Sequence, residues 1–321
     1  MSQHKPTIAV IIVTFNSEHV ICECLESIIN CGQEGLQIVV VDNNSQDNTI
    51  NIVKERFPQV SIIKLEKNIG YGAAVNRGVS STEADYIVVS NPDIIFPKNF
   101  FKEMFNCLES HKELIILNPG IVNKSGEFCI PYRRDFLIML IGYIPNKWFR
   151  QHLAKKAAQL YSKGDLIDIS IAHGCCFMMK RAQFLKLGGF DENIFWGNED
   201  QELSLRARKY GKIGMFTKVR ALHHSGESSS GNLKDFKHRA DIESIFYYYR
   251  KHQRFPFAFA MFCLFCLLIF FQILWRFIKM LPEIGSPEFH NSFNEFLKRI
   301  KRFAVVFSGA CRGYRKNPKR V

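Results

Sequence analysis

The sequence predicts an α/β fold: a doubly wound, mostly parallel sheet flanked by helices, followed by a C-terminal helical region that associates with membrane. Three observations lead there. Continuous β-branched runs alternate with helical patterns from Thr7 to Asn91, the pattern of strands buried on both faces. Each of those runs ends on polar residues, at what becomes one edge of the sheet. Beyond residue 255 the composition changes to one long apolar stretch and then a basic one.

Taken in order, "TIAVIIVTF" (Thr7–Phe15) reads as a buried strand. Glu18–Cys31 follows with Val20, Ile21, Cys24, Leu25 and Ile28 at helical spacing. "LQIVVVD" (Leu36–Asp42) is a second strand, and "NNSQDNTINIVKERFP" gives a turn and a helix closed by Pro58. "VSIIKLE" is a third strand, "GAAVNRGVS" a short helix and "DYIVVSN" a fourth strand. Ile115–Ile130 reads as a strand pair around "NKSGE", and Arg133–Lys163 as loop and helix. "GCCFMMKR" is a further strand, Gln201–Tyr210 a helix and "GKIGMFTKV" the last strand. These elements make one domain over residues 1–232, with residues 233–321 a separate helical region. No repeat or low-complexity segment interrupts them.

Hydrophobic residues are 47% of the 321, enough for a substantial core. The net charge is +13, and Arg276–Val321 contributes +8 of it from eleven Lys and Arg against three Glu and no Asp. A basic tail after an apolar run suits anionic lipid, not nucleic acid. Phe257–Trp275 spans about 28 Å as a helix, against a hydrocarbon core of about 30 Å. The expectation is an apolar helix at about 255–281, spanning once or lying in the interface. Trp275 is its candidate anchor, and a basic amphipathic helix follows at about 290–308. The N-terminus shows no secretory signal pattern. The expected location is therefore the cytoplasmic face of the inner membrane, with the ten cysteines as reduced thiols.

In such sheets ligands bind beyond the carboxyl ends of the strands. Thr14–Ser17, Asp42–Asn44, Lys67–Gly72 and Ser90–Asp93 lie there. The first turn, "TFNSE", has no glycine, and "NIGYGAAVNRG" has Val75 where a third glycine would stand. A dinucleotide cofactor is thereby disfavoured, and no P-loop is present. Asp42 is placed to accept hydrogen bonds from a sugar or a base. Asp93, in "SNPDIIFP", is either a cation ligand bridging a diphosphate or part of an Asn-Pro-Asp turn. "RALHHSGESSSGN" is either a ligand-closing loop with a metal-binding histidine or a solvated surface loop. Glu199 and Asp200 are either helix N-terminal charges or acid/base groups. Trp196 either stacks on a sugar or packs.

Together, "IIVTFNS", "VVDNNSQDNT", "NIGYGAAVNRG", "VSNPDIIFP", "GCCFMMKRAQFLKLGGFDENIFWGNEDQELSLRARKYG" and "LHHSGESS" resemble, in order and spacing, the family 2 glycosyltransferases. The likeness covers roughly residues 6 to 230 and is greatest to the rhamnosyltransferase-like members of bacterial polysaccharide synthesis. It implies the Rossmann-like GT-A fold. It also implies that Thr14, Asn16, Asp42, Asn44, Asn68, Gly70, Asn76, Arg77, Asn91 and Asp93 border a nucleotide-sugar. Asp93 and His223, with His224 as the alternative, would hold a divalent cation, Mg2+ or Mn2+. Asn91 stands where the first acid of the family's metal motif is usual, which weakens the expected metal site. Asp200 would be the catalytic base, and Glu199 its helper or an acceptor contact beside Trp196.

The implied reaction is inverting transfer of a sugar, rhamnose favoured, from a dTDP- or UDP-sugar to a hydroxyl of a glycan or lipid-linked glycan. A sugar nucleotidyltransferase and a non-catalytic membrane component are the alternatives. A glycoside hydrolase using Glu199 with Asp200 is disfavoured, because adjacent residues at a helix start diverge in direction.

Overall fold

The computed structural model describes residues 6–129, 164–224, 234–252, 255–280, 284 and 289–315. The described residues divide into two compact units.

The first unit is built on a nine-stranded sheet ordered β3-β2-β1-β4-β8-β6-β9-β5, with β7 against β9. Strands β1 (Ile8–Thr14), β2 (Leu36–Asp42), β3 (Ser61–Lys64) and β4 (Tyr86–Ser90) run parallel to one another. Every residue of β1 and β4 is buried, which explains why neither run alternates. Helices α1 (Ile21–Ile29) and α2 (Thr49–Arg56) add Cys24, Leu25, Ile28 and Val53 to the core on one face. Helix α3 (Tyr71–Ser80) covers the other with Ala74, Val75 and Val79. Strand β5 (Ile94–Ile95) and helix α4 (Phe100–Ser110) follow.

The second half of the sheet is mixed. β8 (Cys176–Lys180) joins β4 antiparallel, and β6 (Leu114–Val122) runs parallel to β9 (Lys212–His223). β5 and β7 (Leu166–Asp168) pair antiparallel with β9. The strand pair expected over Ile115–Ile130 is corrected to one strand and a single bridge, Val122 to Phe128. The Asn123 carboxamide oxygen accepts from both the Ser125 and Glu127 amides, and this turn chemistry replaces a second strand. The reading of Arg133–Lys163 lies outside the described residues. Helices α5 (Arg181–Lys186) and α6 (Glu199–Ala207) flank the loop that carries "GGFDENIFWGN".

The second unit contains Trp196–Asn198 and helices α7 (Lys234–His252), α8 (Phe255–Met280) and α9 (Phe289–Arg315). Phe246 of α7 meets Phe262 and Phe265 of α8 edge-on. Gly309 and Gly313 let α9 approach the Arg239 and Glu243 carbonyls of α7, where a Cβ would sit 2.6 and 2.0 Å from oxygen. Among the described residues no helix is long and apolar enough to cross a membrane. Helix α8 is one member of a packed three-helix unit. It still leaves Leu264, Leu267, Phe270, Phe271, Trp275 and Ile278 exposed.

Candidate active site

The carboxyl ends of β1 and β2 form a closed polar weave. Asp42 is 0% exposed. Its Oδ1 accepts from the Thr14 hydroxyl at 3.0 Å and its Oδ2 from the Ser45 amide at 3.0 Å. The Ser45 hydroxyl accepts from the Asn16 amide, and the Asn16 side chain accepts from the Gln46 amide at 2.7 Å. Asn16 and Asn44 hold φ of 53° and 68°, the left-handed region that asparagine tolerates. Asn43 ties this weave to the next loop, donating to the Gly70 carbonyl and accepting from the Ile69 amide.

Gly70 opens α3 at φ 90°, and a Cβ there would lie 2.7 Å from the Phe195 carbonyl. Only glycine meets both conditions. The Asn68 side chain accepts from the Gly70 amide at 3.0 Å. The structure gives Asn76 and Arg77 contacts to the loop after α5. The Asn76 carboxamide pairs with both the amide and the carbonyl of Phe190, each at 2.9 Å. Arg77 lies 3.4 Å from Glu192. Both residues therefore hold the loop after α5.

Asp93 differs from Asp42. It is 1% exposed, and neither carboxylate oxygen has a hydrogen-bond partner. The His223 Nε2 lies 3.3 Å from its Oδ1, within ion-pair range but without hydrogen-bond alignment. The pairing of Ile94 with His223 across β5 and β9 puts the histidine there. The His224 amide donates to the Asp93 carbonyl at 3.0 Å, but its ring lies 4.0 Å from Glu23 of α1, so His223 supplies the imidazole beside the Asp93 carboxylate. A buried carboxylate without partners is costly unless something binds it. Two open carboxylate oxygens beside an imidazole suit a divalent cation. Among the described residues no group of three or more His, Cys, Asp and Glu is placed to hold a metal.

Asp200 sits in the first turn of α6, half-buried. Its Oδ1 accepts from the Gln201 amide at 2.7 Å, and its Oδ2 faces the Gly174 amide at 3.4 Å. Two further contacts fix α6. The Ser204 hydroxyl accepts from the Ala172 amide. Arg206 grips the buried Glu202 carboxylate and donates to the Leu187 and Gly189 carbonyls. Trp196 is grouped with the second unit and is 37% exposed.

The turn His173–Cys176, which the sequence reading passed over, connects these parts. The Asn91 amide donates to the Cys175 carbonyl at 2.8 Å, the Tyr71 hydroxyl to the Gly174 carbonyl at 2.9 Å, and the Asn118 side chain to the His173 and Cys176 carbonyls. Burial, then the nearby thiols and the Glu199 and Asp200 carboxylates, hold the Tyr71 phenol well above its usual range, so it stays a donor. Burial and the adjoining Cys176 thiol likewise raise Cys175, with Asp93 and Asp200 adding to the effect from either side. Burial pushes the His173 imidazole down to about 4, and the neighbouring His223 adds to this against a backbone contact at Cys129. All ten cysteines are free. The one signal in the sequence was a histidine directly before the glycine of "GCCFMMKR".

Comparison with known proteins agrees with this geometry. Residues 9–188 match the model of the family described as "Glycosyl transferase family 2", and residues 165–238 that of "N-terminal domain of galactosyltransferase". A relative from Mycobacterium tuberculosis, "N-acetylglucosaminyl-diphospho-decaprenol L-rhamnosyltransferase", is 24% identical over 68% of this chain and 76% of its own. A "Low-salt glycan biosynthesis hexosyltransferase Agl10" from Haloferax volcanii is 26% identical over 72% of this chain and 74% of its own. Among solved structures, GalNAc-T7 with UDP, GalNAc and Mn2+ superposes at TM-score 0.56 and 15% identity. That match covers 78% of this chain but 48% of the other, so this chain spans about half its length. S. aureus TarS 1-349 in complex with UDP-GlcNAc superposes at TM-score 0.52 and 16% identity, over 96% of this chain and 89% of the other. The fold is thus the GT-A fold. With the family model laid over more than half of its length, this chain belongs to glycosyl transferase family 2 and is a glycosyltransferase.

Proposed function

We propose that the enzyme transfers a sugar, with inversion, from a UDP- or dTDP-sugar to a hydroxyl of a glycan or lipid-linked glycan in cell-surface polysaccharide synthesis. The observation that carries this reading is the His173–Cys176 turn. It bonds through Asn91 toward the open carboxylate of Asp93 and through Gly174 toward Asp200. One side then suits a leaving diphosphate and the other an incoming hydroxyl. The M. tuberculosis relative, named as a rhamnosyltransferase acting on a lipid-linked sugar, supports rhamnose and a lipid-linked acceptor.

Asp200 accepts the acceptor hydroxyl's proton as its oxygen bonds to the anomeric carbon, and the bond from that carbon to the diphosphate breaks. The Gln201 and Gly174 amides orient the carboxylate meanwhile. Asp93 and His223 would hold a divalent cation, Mg2+ or Mn2+. Its contribution is to offset charge that develops on the diphosphate, with water and phosphate oxygens completing its shell. The nucleoside would lie along Thr14, Asn16, Asp42, Asn44, Asn68 and Gly70, with Asn91 beside the diphosphate. Glu199 is the acceptor-side candidate of the first unit.

A panel of nucleotide sugars offered to the detergent-solubilised enzyme tests this. One UDP- or dTDP-sugar should release nucleoside diphosphate in the presence of Mg2+ or Mn2+, and Asp200→Asn should lower turnover by about 10²–10⁴-fold. Full turnover in Asp200→Asn contradicts the base assignment. We also propose attachment to the cytoplasmic face of the inner membrane, peripheral or single-pass, through the second unit. Its exposed α8 residues and the +8 charge of Arg276–Val321 support this. Co-flotation with anionic but not zwitterionic vesicles is the expected result. Flotation with neither contradicts it.

A further inference from the structure

His173 opens the turn that reaches Asn91 and Asp200, and its Nε2 lacks a well-formed hydrogen bond. The turn that carries it has every carbonyl from His173 to Cys176 accepting a hydrogen bond: His173 from the Cys176 amide and Asn118, Gly174 from Tyr71, Cys175 from the Asn91 amide, and Cys176 from Asn118. The backbone is thus held on three sides, and the ring is carried on a fixed support. On the ring, Nδ1 lies 3.4 Å from the Cys175 Sγ, whereas Nε2 is shut off from solvent with no well-formed hydrogen bond, the one backbone group beside the ring being at Cys129. An imidazole nitrogen in that state is expensive in a folded protein unless a ligand completes it.

We propose that His173 Nε2 donates a hydrogen bond to the diphosphate of the sugar donor, as a leaving-group residue working alongside Asp93 and His223. Its position on the turn distinguishes the leaving side from the attacking side. The Gly174 amide, one residue on, faces the base Asp200, while the Cys175 carbonyl takes the amide of Asn91, two residues before Asp93, and His173 feels the charge of His223. In an inverting transfer the leaving group departs opposite the attacking hydroxyl, so the turn that reaches Asn91 adjoins the diphosphate side. The Asp93 carboxylate has two open oxygens but cannot donate to phosphate, and a donor on the neighbouring turn supplies what it lacks.

This inference rests on the reading of Asp93 and His223 as the diphosphate end, and the test separates the two. Calorimetry with the detergent-solubilised full chain would measure binding of UDP and of dTDP, each with Mn2+, and of UMP and dTMP. His173→Phe keeps the ring's shape without nitrogen, and His173→Gln keeps a side-chain donor. Should His173→Phe fail to fold, His173→Ala takes its place. For whichever diphosphate binds, His173→Phe should weaken affinity by about ten- to a hundredfold, the worth of one hydrogen bond to a charged group. The monophosphate should bind as before, and His173→Gln should recover most of the loss. If Asp93→Asn weakens diphosphate binding and His173→Phe does not, the role of His173 is overturned and the diphosphate reading stands. If Asp93→Asn has no effect, or neither diphosphate binds the native protein, both are overturned. An equal loss of monophosphate and diphosphate affinity in His173→Phe makes the residue structural and also overturns the proposal.

Discussion

Asp42 and Asp93 are both buried carboxylates at strand ends along one edge of one sheet, yet their surroundings differ. Asp42 has each oxygen engaged, by the Thr14 hydroxyl and the Ser45 amide, and so holds the turns after β1 and β2 in place. Asp93 has neither oxygen engaged and a histidine 3.3 Å away. Asp42 thus shapes the protein's own turns as well as bordering the proposed nucleoside, whereas Asp93 stands open. Completed hydrogen bonds, more than position on the edge, mark a carboxylate with a scaffold task.

That contrast can be broken in three ways, with the largest effect first. Glu202 is a third buried carboxylate and belongs with Asp42, because Arg206 completes it. Arg206→Met leaves that charge buried and unpaired and also frees the Leu187 and Gly189 carbonyls. Urea unfolding should show a loss of about 3–5 kcal/mol, and a change below 1 kcal/mol would remove Glu202 from the scaffold class. Asp93→Asn should lower turnover by about 10²–10³-fold, comparable to removing one charge-stabilising group, while the stability without ligand is equal or higher. Asp42→Ala should cost about 1–3 kcal/mol of stability by leaving the Thr14 and Ser45 donors unmet. A variant that is fully stable but fails to bind nucleotide would move Asp42 to the ligand-holding class.

Gly70→Ala sharpens the comparison from the backbone side. A methyl group at φ 90° would meet the Phe195 carbonyl at 2.7 Å, so the loop must move. A melting experiment should show a loss of about 1–3 kcal/mol, with nucleotide affinity falling as the Asn43–Gly70 bond is disturbed. Unchanged stability and affinity would mean that this loop does not shape the site.

Much of this was legible in the sequence because it is local. The fully buried strands β1 and β4 appear as unbroken apolar runs, and Asp42, Asp93 and Asp200 end or open elements visible from periodicity. What stayed hidden depends on long-range pairing. The bonds of Asn76 to Phe190, 114 residues away, left no trace in the sequence. The choice of His223 over His224 needed the pairing of β9 with β5. Of His173 the sequence showed only its place before Gly174, because its setting comes from Asn118, Tyr71 and Asn91, three separate parts of the chain. The apolar length of α8 was legible, but its packing against Phe246 of α7 was not.

The central claim is that the open oxygens of Asp93 hold the cation and diphosphate. Thermal unfolding of the native protein and Asp93→Asn, first in EDTA and then with Mn2+ and saturating UDP or dTDP, tests it most directly. The account predicts that the native protein gains about 5 °C with one of the two diphosphates. Asp93→Asn should gain nothing while melting in EDTA at or above the native temperature. An equal gain in both proteins, or an Asp93→Asn variant that melts well below native in EDTA, would contradict it.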